Sequence, residues 1–160
     1  MSQRHSGFAR RPRDDYPTPP WCARVLVPYL NDDAVLWDCA AGAGQLVRAL
    51  RRLGYTTVGT SDDFLARRAP PDRKRRFAIV TNSLTLDVAM IAMLLKIDFD
   101  SGSTRVHLFQ DCPQWARKIV LLDRIKWFAG PSEPSENHAW YVWNQNHRGP
   151  PIISYAEREQ

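Results

Sequence analysis

The sequence is poor in several of the residues that would place it in a large class at once. Its 160 residues include three cysteines, Cys22, Cys39 and Cys112. They stand far apart, none in a Cys-x-x-Cys pair and none matched by a histidine pair. Neither a disulfide framework nor a metal site is therefore expected, and the cysteines read as reduced thiols of a cytoplasmic protein. No apolar run approaches the roughly 20 residues that cross a bilayer, so no membrane association is expected. The N-terminus has no continuous apolar segment of the secretory kind, and its arginines leave an organelle transit peptide as the less favoured alternative. Glycine is scarce too, at eight residues, and the Gly-x-Gly of Gly42 and Gly44 lacks the third glycine of a dinucleotide fingerprint. No Tyr-x-x-x-Lys accompanies it, which argues against a nicotinamide-dependent oxidoreductase. There is no internal repeat and no low-complexity tract.

What is present fits a single globular domain of minimal size, 44% hydrophobic. Lysine and arginine number 22 against 17 acidic residues, a net charge of +5. That excess suits an anionic partner such as nucleic acid, and equally a basic surface kept for solubility.

The most informative stretch begins at Val35. Val35-Leu36-Trp37 suits a buried strand, Asp38 to Gly44 a glycine-bearing turn, and Leu46, Leu50 and Leu53 recur on one face of a following helix that Gly54 ends. Tyr55 to Thr60 is a second β-rich run, closed by the acidic pair Asp62-Asp63. Strand, glycine turn, helix, strand and acid is the order in which a Rossmann-like sheet binds adenosine, with a carboxylate on the ribose hydroxyls. The short glycine pattern favours a cofactor without phosphates, S-adenosylmethionine first among them. A plain strand-to-helix turn is the structural alternative.

On the N-terminal side, residues 1–15 carry Arg4, Arg10, Arg11 and Arg13 among small and polar residues and read as a flexible basic arm. The domain proper then spans 16–160. Tyr16-Pro17-Thr18-Pro19-Pro20-Trp21 is an extended aromatic segment that either lies across a pocket mouth or brackets the next helix, expected over Trp21 to Tyr29. Beyond the second strand, Arg67 to Arg76 is a basic loop suited to phosphates or to solvent. Phe77 to Thr81 reads as a third strand ending at Asn82. Val88 to Ile97 is a helix or a further strand, separated from the third strand by fewer residues than a parallel crossover usually needs. Thr104 to Gln110 reads as a short helix. Ile119 to Leu122, with Arg124 to Phe128 as its continuation, is expected to pair antiparallel with the aromatic run Ala139 to Trp143. Trp127, Trp140 and Trp143 are core residues or a base-stacking platform, and His107, His138 and His147 read as structural or surface histidines.

Several of these segments together resemble bacterial and phage adenine-N6 DNA methyltransferase-like proteins of the class I S-adenosylmethionine-dependent superfamily. They are Tyr16 to Trp21, Asp38 to Gly44, Asp63-Phe64-Leu65, Ile79-Val80-Thr81-Asn82, His138 to Trp143 and Gly149-Pro150-Pro151. The resemblance implies an α/β fold, a Rossmann-like three-layer sandwich of the class I methyltransferase type, with a mostly parallel sheet, a C-terminal antiparallel hairpin and one crossover helix missing. It places Thr18 and Pro19 by the methionine part of the cofactor and passes the turn of Asp38, Ala40, Gly42 and Gly44 beneath it. Asp62 would hold the ribose, and Asp63 and Phe64 would meet the adenine. The implied partner is nucleic acid, DNA ahead of RNA, and no oligomeric state is implied.

The sequence departs from the family at its catalytic motif. Relatives follow the Asn with Pro-Pro and an aromatic residue, whereas this chain reads Asn82-Ser83-Leu84-Thr85. Asn82 remains as one acceptor for the amino group of a flipped adenine, without the proline carbonyl or the stacking ring. Methyl transfer is therefore expected to be poor or absent. The alternative is a noncatalytic protein that keeps the fold and binds cofactor or nucleic acid.

Overall fold

Val35-Leu36-Trp37-Asp38 forms β1, with Leu36, Trp37 and Asp38 all buried, because the strand is covered on both faces. A computed structural model describes residues 17–61, 77–80, 89–127 and 133–158, with the backbone alone for 77–80. Its further strands are β2 (Thr56–Gly59), β3 (Phe77–Val80), β4 (Met90–Lys96), β5 (Trp115–Leu121), β6 (His138–Asn144) and β7 (Ile152–Ala156). They make one seven-stranded sheet in the order β2-β1-β3-β4-β6-β5-β7.

The sheet is mixed. β1 pairs in parallel with β2 and β3, and β3 in parallel with β4. β6 then runs antiparallel to both β4 and β5, and β7 lies parallel to β5 on the far side. The run that sequence left open between helix and strand is thus β4, joined to its parallel neighbour β3 through residues 81–89 alone. β5 and β6 pair antiparallel as their β-prone composition suggests, but they do not close the sheet. Ile152-Ile153-Ser154-Tyr155, a β-branched and aromatic run after Gly149-Pro150-Pro151, adds the strand that was not foreseen.

The expected Rossmann-like three-layer sandwich of the class I methyltransferase type is overturned. Among the described residues there are two α-helices, α1 (Pro20–Arg24) and α2 (Gln45–Arg52), of five and eight residues, and otherwise short 3-10 turns. Local chemistry explains the shortage. The expected helix from Trp21 to Tyr29 breaks into α1 and a 3-10 turn at Val27–Tyr29, because Pro28 has no N–H to give to the Arg24 carbonyl. Between β4 and β5, Asp98, Asp100, Ser101 and Gly102 are weak helix formers, and Ser101 Oγ donates to the Asp98 carbonyl at 2.7 Å. That connection forms 3-10 turns at Phe99–Ser101 and Ser103–Leu108, the second in place of the α-helix expected from Thr104.

Two apolar layers result. One face of the sheet packs Ile119, Leu121, Trp140 and Val142 against α1 and α2. The other gathers Trp37, Met93, Trp115, Tyr141 and Trp143 beneath Phe99, Leu108 and Phe109. Central strand β6 serves both, and the polar atoms of its three large aromatic side chains are satisfied across the layers. Trp140 Nε1 donates to the Cys22 carbonyl at 2.9 Å, Tyr141 Oη to that of Ile97 at 2.8 Å, and Trp143 Nε1 to that of Leu108 at 2.8 Å. Trp140 and Trp143, at 0 and 4% exposure, are core residues, so neither offers a stacking surface. Among the described residues no helix is long and apolar enough to cross a membrane.

Candidate functional site

The turn after β1 is built from small residues and backbone hydrogen bonds. Asp38 is buried, and its Oδ1 accepts the Ala40 N–H at 3.3 Å. Gly42 and Gly44 adopt φ of 48° and 75°, left-handed backbone that residues with a Cβ avoid. The Gly44 N–H closes onto the Ala41 carbonyl at 2.6 Å, and Gly44 then caps α2. The end of β2 is laced to the same turn. Thr60 donates its N–H to the Asp38 carbonyl and accepts the Ala41 N–H on its own carbonyl, both at 3.0 Å. Its hydroxyl accepts the Trp37 indole N–H, again at 3.0 Å.

A cleft of about 270 Å³ opens between this turn, α2 and residues 59–61. Arg48 and Arg51 form part of its wall. Arg48 Nη1 donates to the Ala43 carbonyl at 2.7 Å, and Arg51 gives Nε and Nη2 to the Thr57 carbonyl at 3.0 and 2.7 Å. Both guanidinium groups keep further N–H donors beside the cleft, a setting that favours anionic or strongly polar ligand groups.

The position of this turn in the sheet is informative. β2 lies on one side of β1 and β3 on the other, so the chain reverses its direction of travel across the sheet at β1. In open α/β sheets ligands bind in the crevice outside the carboxyl ends of parallel strands where that order reverses. Asp38 to Gly44 lies there.

Of the residues singled out from sequence, Asp38, Ala40, Gly42 and Gly44 are brought together in this turn. Thr18 and Pro19 lead into α1, where Pro19 is the N-cap residue and its carbonyl accepts the Cys22 N–H at 3.0 Å. α1 packs beside α2 in one apolar layer, which sets the two segments on the same face of the sheet. Asp62, Asp63, Phe64 and Asn82 lie outside the described residues, as do the basic arm and the loop from Arg67 to Arg76. Thr60, Arg48, Arg51 and Gly59 were not singled out. The arginines were legible as polar positions three apart on a helix beginning at a glycine turn, whereas the role of Thr60 depends on strand register, which no local pattern reveals.

The exposed part of the turn carries only glycine and alanine, Ala40, Gly42 and Ala43, and its backbone is hydrogen-bonded to Thr60 at the end of β2. Among the described residues no group of three or more His, Cys, Asp or Glu side chains is placed to hold a metal ion. Comparison of the chain with protein-family models, with curated proteins and with solved structures finds no match.

Proposed function

We propose that this chain is an S-adenosylmethionine-dependent methyltransferase-like protein of the adenine-N6 DNA type, with its cofactor seated against the turn from Asp38 to Gly44. One observation carries the reading: a left-handed glycine turn stands at the carboxyl end of β1, where the strand order reverses. Gly42 and Gly44 let a ligand approach the backbone, and the hydrogen bonds from Thr60 hold the turn in place. The sequence resemblance supplies the remaining roles, Asp62 on the ribose, Asp63 and Phe64 on the adenine, Thr18 and Pro19 on the methionine part. The bound cofactor supplies an electrophilic methyl group, and Asn82 orients the amino group that receives it. The net charge of +5 suits a polyanionic substrate.

A noncatalytic reading, binding without transfer, is favoured by the residues after Asn82, where Ser83 and Leu84 replace the expected prolines. Tritium-labelled methyl donor, incubated with protein and either adenine-containing or adenine-free DNA, separates the two. Label that enters only adenine-containing DNA establishes the enzyme. Label retained by the protein without transfer establishes the binder, and label found in neither contradicts the proposal.

A further inference from the structure

β7 ends the sheet, and its outer edge has no strand partner among the described residues. Edge strands are commonly protected by lysine, proline or a bulge. From Ile152 to Ala156 this one has neither a charge nor a proline. Among the described residues it carries exposed large apolar side chains, Ile152, Ile153 and Tyr155 at 48, 62 and 68% exposure, and Leu122, just past the end of β5 with its N–H on the Ala156 carbonyl, is 53% exposed.

The backbone dictates what can bind. Because the Ala156 carbonyl faces β5, alternation turns Ser154 and Ile152 inward as well and points the N–H and C=O groups of Ile153 and Tyr155 outward. Two outward residues two apart can pair with the same two residues of an identical strand running the other way, Ile153 opposite Tyr155 and Tyr155 opposite Ile153. An axis at Ile153 would instead set Tyr155 against Pro151, which has no N–H. An axis at Tyr155 would set Ile153 against Glu157. The axis through Ser154 satisfies all four outward groups of Ile153 and Tyr155 on each copy, and it alone matches a β-branched residue to an aromatic one twice.

We propose that two copies of this chain associate through β7, antiparallel about a two-fold axis at Ser154, to form one continuous sheet. Pairing the two edges satisfies the outward backbone groups and sets Ile153 of each copy beside Tyr155 of the other, covering part of both side chains. The isologous geometry closes on itself, so the product is a dimer and not a fibre. The cleft beside β1 and β2 lies at the opposite edge of the sheet and stays open in both copies.

Sedimentation velocity of the full chain over a micromolar concentration series tests association, and engineered cysteines in a Cys112→Ser background test the register. The dimer is expected to shift to monomer in the Ile153→Lys variant, with at least a tenfold weaker dissociation constant. Ser154→Cys should form an intermolecular disulfide on mild oxidation, since opposed non-hydrogen-bonded residues lie about 4.5 Å apart at Cα. Ile152→Cys, which faces Ala156 of the other copy, should not. A monomer at every concentration, a dimer undiminished by Ile153→Lys, or crosslinking of Ile152→Cys as readily as Ser154→Cys would overturn the proposal.

Discussion

Gly59 of β2 and Val47 of α2 approach so closely that a Cβ on Gly59 would lie 2.8 Å from Val47 Cγ2, with Ala41 Cβ at 3.0 Å. The helix that follows the glycine turn is seated on β2 only because position 59 has no side chain. The contact sits at the floor of the candidate cleft, so it links packing to the ligand site.

Gly59→Ala is therefore expected to destabilise the protein by about 1–3 kcal/mol, the usual cost of forcing extra volume into a packed contact. Val47→Ala introduced with it should recover part of that loss, because the two positions share the clash. Urea unfolding of the two single variants and the double variant measures the coupling. Strict additivity would show that the contact does not govern the helix position.

His138 is expected to contribute to the acid sensitivity of the fold. It is buried with Nδ1 lacking a hydrogen-bond partner, and burial pushes its pKa down from 6.5, with Glu136 opposing and Lys96 assisting. The unfolded chain then binds the proton more readily than the folded one, so the neutral imidazole favours the fold fully above pH 6.5. That contribution is lost as pH falls through 6.5 toward the lower folded-state value. The urea midpoint of the native chain should drop between pH 7.5 and 5.5, and the drop should be smaller in His138→Leu.

The cysteines should separate by reactivity. Cys22 and Cys39 are 0 and 1% exposed, and burial pushes the Cys22 thiol up to about 12. Cys112 is only partly buried, with its Sγ 3.7 Å from Gln114 Oε1. At pH 8 a disulfide reagent should modify one thiol of the native protein and all three after denaturation. Rapid modification of Cys22 in the native state would contradict the packing of α1.

Methyl transfer by the chain as it stands should be weak. Losing one hydrogen bond that positions the reacting amino group costs roughly 1.5–3 kcal/mol, and losing a stacking ring roughly 1–3 more, together roughly two to four powers of ten in rate. Inserting Pro-Pro-Tyr and a connecting helix after Asn82 should raise turnover on adenine-containing DNA in a tritium assay. Equal, robust turnover with and without the insertion would refute the cost assigned to the missing proline and aromatic contacts.

Local patterns carried much of the fold. β1, the glycine turn and α2 follow from an apolar run, two glycines and leucines at helical spacing, and β6 from an aromatic, β-prone run. What escaped depended on long-range relationships. Met90 to Lys96 is apolar on both faces, so its periodicity could not separate helix from strand until β3 and β6 flanked it. The layers of a sandwich were inferred from family likeness, while Pro28, Gly102 and their polar neighbours worked against the helices those layers require. At the site, Gly42 and Gly44 were visible because positive φ demands glycine. Thr60 was not, since its partners Asp38 and Ala41 are set by the β1/β2 register.

The central claim is that the turn from Asp38 to Gly44 binds a nucleoside-type methyl-donor cofactor, and calorimetry tests it most directly. S-adenosylhomocysteine, the demethylated product, titrated to millimolar concentration into folded protein, should give saturable heat. Gly44→Val places a branched residue at φ 75° and should lower the affinity at least tenfold, in a variant whose circular dichroism shows it folded. No saturable heat from the folded native chain, or equal affinity in the native chain and folded Gly44→Val, would contradict the account.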